Sequence, residues 1–299
     1  MRSRPPRARE RGIALIAVLW IAALASALAI GLAAISRQET DLARNVVDRI
    51  QARHLAEAGI HLGIATLIAG PGAGACFDGR SRAFTFARVP IAVAIADEGG
   101  KVDLNEAPPP LLAGLFRAAG AADSEAAALA DAVADWRDRD VERRPLGAED
   151  EDYRRAGAGY DAKDAPFETT AELAAVRGMT VALMERLHGL ITVRSHAPGI
   201  DPTVALAGVL AAVPGYGSDL AREYVELRAR LPGCGSLPPP PLAEAQPYLV
   251  PSAKVAFAIQ ARATGEAGTT VRREAVVGLH FRPDKPVLFL DWRTLPAAE

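Results

Sequence analysis

Carboxylates crowd one stretch of this sequence. Asp135-Trp136-Arg137-Asp138-Arg139-Asp140 is followed by Gly147-Ala148-Glu149-Asp150-Glu151-Asp152-Tyr153. Acids this dense repel one another and resist joint ionisation unless cations neutralise them. Two chemistries meet that demand. Arg137, Arg139, Arg143 and Arg144, in the same stretch, can pair with the acids on a solvated helix end. Alternatively, carboxylate oxygens on a flexible loop can hold a hard divalent cation such as Ca²⁺, which takes about six to eight oxygens. Spacing alone favours the arginine pairing, because the Asp-x-Asp lacks the Gly and the terminal Glu that an EF-hand needs at fixed offsets.

Elsewhere the reactive residue types are scattered. His54, His61, His188, His196 and His280 form no HExxH, no GxSxG occurs, and Gly72-Ala73-Gly74 is too short to argue a nucleotide loop. No catalytic constellation results, so an enzyme is not expected. Cys76 and Cys234 cannot build a tetrahedral zinc site unaided and are too far apart for a CxxC. A disulfide between them in an oxidising compartment stays open. Val213-Pro214-Gly215-Tyr216-Gly217-Ser218-Asp219-Leu220-Ala221 resembles the turn of a helix-hairpin-helix, which holds DNA phosphates on backbone N–H groups. Arg222, Arg228 and Arg230 are offset by Glu223 and Glu226, Asp219 sits beside the turn, and the net charge is only −2. Nucleic acid is therefore not an expected partner. Val176-Arg177-Gly178-Met179-Thr180 is a weaker match read the same way.

The elements that position these residues begin with the N-terminus. Arg2, Arg4, Arg7, Arg9 and Arg11 precede a run from Ile13 to Ile35 without a charge. At about 1.5 Å per residue such a helix reaches roughly 34 Å, enough to cross a bilayer core. The basic flank places the N-terminus in the cytoplasm and the remainder across the membrane. No helix break follows until Gly70-Pro71, and apolar Leu42, Val46 and Ile50, then Leu55, Gly59, Leu62 and Leu67, extend a helical stripe. One helix, half in lipid and half amphipathic, is expected.

A basic leader, Gly12, the apolar run Ile13-Ala14-Leu15-Ile16-Ala17 and an amphipathic continuation resemble the signal of type IV pilins and type II secretion pseudopilins. The resemblance implies cleavage by prepilin peptidase between Gly12 and Ile13. Family members mostly carry Glu at the fifth mature position, and here that position is Ala17. A carboxylate in lipid is costly unless paired, and its natural partner is the N-terminus of the subunit ahead. A subunit with none ahead needs no such Glu, and the minor pseudopilin family GspK lacks it.

Alternation over Ala83–Asp97 suggests strands, with Pro90 at a break or sheet edge. Asp97-Glu98-Gly99-Gly100-Lys101-Val102-Asp103-Leu104-Asn105-Glu106-Ala107-Pro108 resembles the GspK segment where a helical domain interrupts the pseudopilin sheet. Its Asp-Leu-Asn is expected to cap the helix after Pro108. Amphipathic helices continue to about Arg230, Pro238 to Pro241 form a stiff exit, and strand patterning returns over Lys254–Ala263, Val271–Leu279 and Val287–Trp292. The expected fold is α+β. It comprises a leader (1–12), a transmembrane helix half (13–35), a first pseudopilin portion of helix and first strands (36–100), an inserted all-α, SAM-like or helix-hairpin-helix-like domain (101–241) and C-terminal pseudopilin strands (242–299). The resemblance also implies structural calcium on Asp138, Asp140, Glu149, Asp150 and Asp152, with Asp135 and Glu151 as lesser candidates. It implies a tip subunit in the inner membrane with its main domains in the periplasm. Other minor pseudopilins would be its partners, and exoprotein or secretin further contacts. The alternative is a minor pilin of a type IV or competence pilus whose helix-hairpin-helix-like domain touches DNA.

Overall fold

The computed structural model describes residues 11–70, 77–231, 237–240, 242–279 and 286–295. The leader residues 1–10, Cys76 and Cys234 lie outside them.

A single helix, α1 (Arg11–Ala69), carries the chain out of the apolar run without interruption. Within it Leu15–Leu32 is long and apolar enough to cross a membrane, and none of that stretch is buried by the rest of the protein. Gly12 and Ile13 stand in its first turn, and Ala17 is exposed on the span. Gly70, at φ +77°, ends the helix where the sequence placed the stop.

The far half of α1 packs on a five-stranded antiparallel sheet. Its strands are β1 (Asp78–Phe86), β2 (Val89–Asp97), β5 (Ala256–Thr264), β6 (Thr270–Leu279) and β7 (Val287–Leu295), in the spatial order β1-β2-β5-β6-β7. The helix meets this sheet through small residues. A Cβ on Gly59 would stand 2.7 Å from the Ala261 Cβ, and one on Gly63 would stand 2.6 Å from the Ile259 Cγ2. The buried face of α1 is Asp48, Ala52, Ala56, Gly59, Ile60, Gly63 and Leu67. This corrects the stripe read from sequence. Leu42, Val46 and Ile50 do recur at helical spacing but stay exposed, because the sheet covers a different flank and starts only at Asp48. Asp48 pins that start by accepting from Ala267 N (2.7 Å) and Thr269 N (2.9 Å) in the β5–β6 turn. Pro90 lies inside β2, opposite Thr85 of the edge strand β1.

A helical lobe enters between β2 and β5. It contains a short parallel pair, β3 (Val102–Asp103) with β4 (Ile191–Thr192), and six helices. These are α2 (Pro109–Ala118), α3 (Asp123–Arg137), α4 (Asp150–Arg155), α5 (Val181–Leu187), α6 (Ala207–Leu210) and α7 (Gly217–Arg230). Leu111, Leu112, Leu115, Phe116, Leu129, Val133, Leu173, Leu187 and Leu210 form its core. Gly114 lets α2 touch the α6–α7 turn, since a Cβ there would lie 1.9 Å from Ala212 O. The chain after the proline run stays with this lobe: Ala245 is in its core and Leu249 bridges to Ile200.

The expected cap on α2 is not made. Pro108 occupies the N-cap without a side-chain bond, and prolines at the first positions leave few N–H groups to satisfy. Asp103 instead accepts from Asn105 N, Ser195 N, Ser195 Oγ and His196 N. Asn105 clamps Phe167, accepting from its N (2.7 Å) and donating Nδ2 to its O (2.9 Å). Both crossings between sheet and lobe are knotted together. The Ser252 hydroxyl donates to Asp97 Oδ1 (2.7 Å), Ser252 N donates to Asp201 Oδ2 (2.9 Å), and Asp201 N donates to Gly99 O (2.8 Å). Asp201 therefore ties the lobe to the sheet.

Candidate metal centre

The acidic stretch wraps around the end of α3. Helical backbone stops at Asp138, which turns extended (φ −81°, ψ 171°). Just before it, Trp136 is buried against Tyr153, Tyr160 and Phe167, with ring centroids 5.4, 6.2 and 6.3 Å away. The loop then doubles back so closely that a Cβ on Gly147 would lie 1.9 Å from Asp135 Oδ2. Arg144 straps the return, donating Nη1 to Asp135 Oδ1 (2.6 Å) and Asp138 Oδ2 (2.5 Å). These bonds raise the Arg144 pKa further above its already high ordinary value.

This fold-back brings together two overlapping groups of carboxylates. In one, oxygens of Asp138, Asp140 and Glu149 all lie within 4.8 Å of one another; in the other, oxygens of Glu149, Asp150 and Asp164 do. Calcium–oxygen distances of about 2.3–2.6 Å place ligand oxygens at about such separations around one ion. Asp138 Oδ1, Glu149 Oε1 and Asp164 Oδ1 are each buried without a hydrogen-bond partner. Buried carboxylate oxygens with nothing to accept from are costly. Burial first, then repulsion from Asp135, Asp164, Asp138 and Asp150, pushes the Glu149 carboxyl up to about 7. Burial and the charges of Asp150, Asp138 and Asp161 push Asp164 up as well. Asp164 also holds left-handed backbone at φ +51°, a conformation that costs a residue other than glycine. Orphaned oxygens, like charge and local strain converge on one point. The donor set fits a hard cation such as calcium.

The residues singled out in the sequence divide clearly here. Asp138, Asp140, Glu149 and Asp150 come together. Asp152 lies in neither group: it accepts from Glu149 N (3.3 Å) at the start of α4 and faces Arg143, Arg155 and Arg177. Asp135 is spent on Arg144, and exposed Glu151 pairs with Arg155. Asp164 was missed. It follows a loop of its own, and no spacing template links it to the earlier acids. The only hint was an acid before Ala165-Pro166-Phe167, the segment that Asn105 clamps.

The helix-hairpin-helix-like turn is real in outline, with Gly215 at φ +85° between α6 and α7. Its surroundings are wrong for phosphate. Glu244 Oε2 stands 3.5 Å from where a Gly215 Cβ would be, and Arg228 is buried, donating to Pro202 O and Ala205 O.

Residues 93–196, which hold every member of both carboxylate groups, match the family described as type II secretion system (T2SS), protein K. The match takes in the end of β2 and the lobe as far as β4, and stops short of α6 and α7. Over most of the chain, the fold is similar to a chain in the crystal structure of the GspK-GspI-GspJ complex from enterotoxigenic Escherichia coli. That likeness has TM-score 0.59 and 17% identity, covering 85% of this chain and 99% of that one. That likeness supports the α+β fold beyond residues 93–196. No curated protein matches the chain.

Proposed function

We propose that this protein is a minor pseudopilin that caps a short periplasmic pseudopilus and helps to start its assembly for protein export. One observation carries the reading: the place of the helical lobe on the rod. Asp48, near the membrane, meets the β5–β6 turn, whereas the lobe leaves the sheet at Asp97, the opposite end of β2. A bulky domain at the membrane-distal end obstructs any subunit stacked above it. Ala17 supports the same position, because a terminal subunit has no neighbour ahead to pair with a buried Glu. GspI and GspJ accompany the structural neighbour, so other minor pseudopilins are the partners expected here. On this reading the span 13–35 sits in the inner membrane and the main domains are periplasmic. Calcium on Asp138, Asp140, Glu149, Asp150 and Asp164 would staple the loop after α3 to α4 in a structural role.

Complementation of a deletion strain tests the assignment. The intact gene should restore secretion of a reporter exoenzyme, with DNA uptake unaffected by the deletion. Loss of DNA uptake with normal secretion would overturn the reading in favour of a competence pilin.

A further inference from the structure

The helical lobe and the outer face of the sheet enclose a cleft of about 620 Å³. Its floor is the face of β2 and β5 that α1 does not touch. Val93, Ile95 and Ile259 pack in the core beneath α1. Side chains alternate along a strand, so Ala94, Ala96 and Ala258 turn the other way and line the cleft. Side chains this small leave the space open. From the lobe, β4 brings Ile191 and Thr192 into the lining, and Val193 and Arg194 continue it.

Strand β4 presents an unpaired edge to this space. Toward β3, Leu190 O accepts from Val102 N (3.0 Å) and Thr192 O accepts from Leu104 N (2.9 Å). In a parallel pair of this register, the N–H and C=O groups of Ile191 and Val193 point away from β3. None of them has a hydrogen-bond partner among the described residues. Ile191 and Val193 are only 6% and 5% exposed. Both line the cleft, whereas Val102 and Asp103 of β3 do not. Main-chain groups so nearly buried demand partners, and an unpaired strand edge is a template for another strand.

We propose that the cleft takes an extended polypeptide segment of an exported protein, which adds to β4 as the third strand of its sheet. This rests on the minor-pseudopilin reading and gives it a cargo site. The lining argues against other ligand classes. Lys101 is held by Glu98 (2.5 Å), Arg293 by Glu274 (2.7 Å) and Arg194 by Glu168 O (3.1 Å), so these cations are committed and do not await a phosphate. Among the described residues no Phe, Tyr or Trp lines the cleft, so a base finds no such ring to stack on. What the cleft offers is main-chain donors and acceptors beside a floor of small residues. Strand addition uses those features, drawing affinity from the backbone and specificity from pockets for alternate side chains. At about 3.3 Å per residue, the edge from Ile191 to Val193 engages about three residues of the segment. Position selects the source. The cleft opens on the sheet face opposite α1, so a subunit packed along α1 leaves it uncovered and free for a soluble passenger.

Photo-cross-linking of the full-length chain in cells that export a reporter exoenzyme tests this. A benzophenone amino acid replaces His188, which lines the cleft, or Glu185, one turn away on α5 and outside it; both are exposed, so folding is preserved. Position 188 should yield an adduct with the reporter at least five-fold above that at position 185, and Ala94→Phe, which fills the floor, should abolish the difference. Equal adducts, or none at either position in a strain that still secretes, would overturn the site. An adduct only with another pseudopilin would overturn the choice of occupant. Strand addition has its own readout in hydrogen exchange on the detergent-solubilised chain saturated with purified reporter. The Ile191 and Val193 amides should slow at least ten-fold while Thr192, already facing β3, should not change; unaltered exchange at all three would overturn the strand mode. If the intact gene restores no secretion, the functional reading falls and takes the occupant with it, whereas a cleft that fails these tests falls alone.

Discussion

Glu149 and Asp164 each point a buried carboxylate oxygen, without a hydrogen-bond partner, into the same few ångströms. The Asp164 charge raises the Glu149 pKa, after burial and Asp135, while Asp164 is itself raised by burial and then by Asp150, Asp138 and Asp161.

Added calcium should therefore stabilise the protein. A ligand at a hundred times its Kd contributes about 2.7 kcal/mol, and at about 2–4 °C per kcal/mol the melting temperature should rise by about 5–10 °C over protein in EGTA. Calorimetry on the detergent-solubilised chain measures this, and no shift at millimolar calcium rejects the site.

Asp164→Gly separates strain from ligation. Glycine accepts φ +51° without penalty and carries no charge, so metal-free protein should melt at the same temperature or higher. The calcium-dependent rise should disappear. Asp152→Asn should behave oppositely, lowering the melting temperature equally with and without calcium, since Asp152 serves α4 and three arginines.

Asp48 sets an acid limit on the attachment of α1. Hydrogen bonds from Thr269 and the Ala267 backbone hold its pKa below the ordinary Asp value of 3.8. A carboxylate whose folded pKa is depressed contributes stability above its unfolded pKa and loses it as pH falls through the folded one. The β5–β6 turn should thus loosen from α1 only below about pH 4. Hydrogen exchange at Ala267 and Thr269 follows it, and Asp48→Asn should show raised exchange already at neutral pH.

Gly63→Val should strain the contact with Ile259. Overpacking of this kind costs about 1–3 kcal/mol, so the sheet domain should melt earlier while membrane insertion of the span is unchanged. Equal stability of variant and parent would mean that α1 rides further from the sheet than 2.6 Å allows.

Gly12 and Ala17 bear on processing and assembly. Gly12→Val should block leader removal, visible as a slower-migrating band, and full secretion by that unprocessed form would contradict the pilin-type signal. Ala17→Glu should insert normally and give no gain in assembly.

Local signals in the sequence carried much of the architecture. The extent of α1 was legible because Gly70 is a strong stop and no earlier break exists. The strands were legible from alternation in β2 and β5. Which flank of α1 meets the sheet was not, because glycines and alanines make that contact by closeness rather than by hydrophobicity, while Leu42, Val46 and Ile50 advertise a different surface. The carboxylate cluster was half legible. Asp138, Asp140, Glu149 and Asp150 stand in one acidic run, but Asp164 joins them only through a loop that Asn105 fixes from the beginning of the lobe.

The paired crossings at Asp97–Gly100 and Ser252 have a mechanical consequence. A body hung on one strand swivels about it. A body hung on two, cross-tied through Asp97, Asp201 and Ser252, can turn only by breaking those bonds. Load applied to the helical lobe passes into β2 and β5, and through Gly59 and Gly63 into α1. The lobe therefore follows any rotation of the sheet instead of swivelling on it.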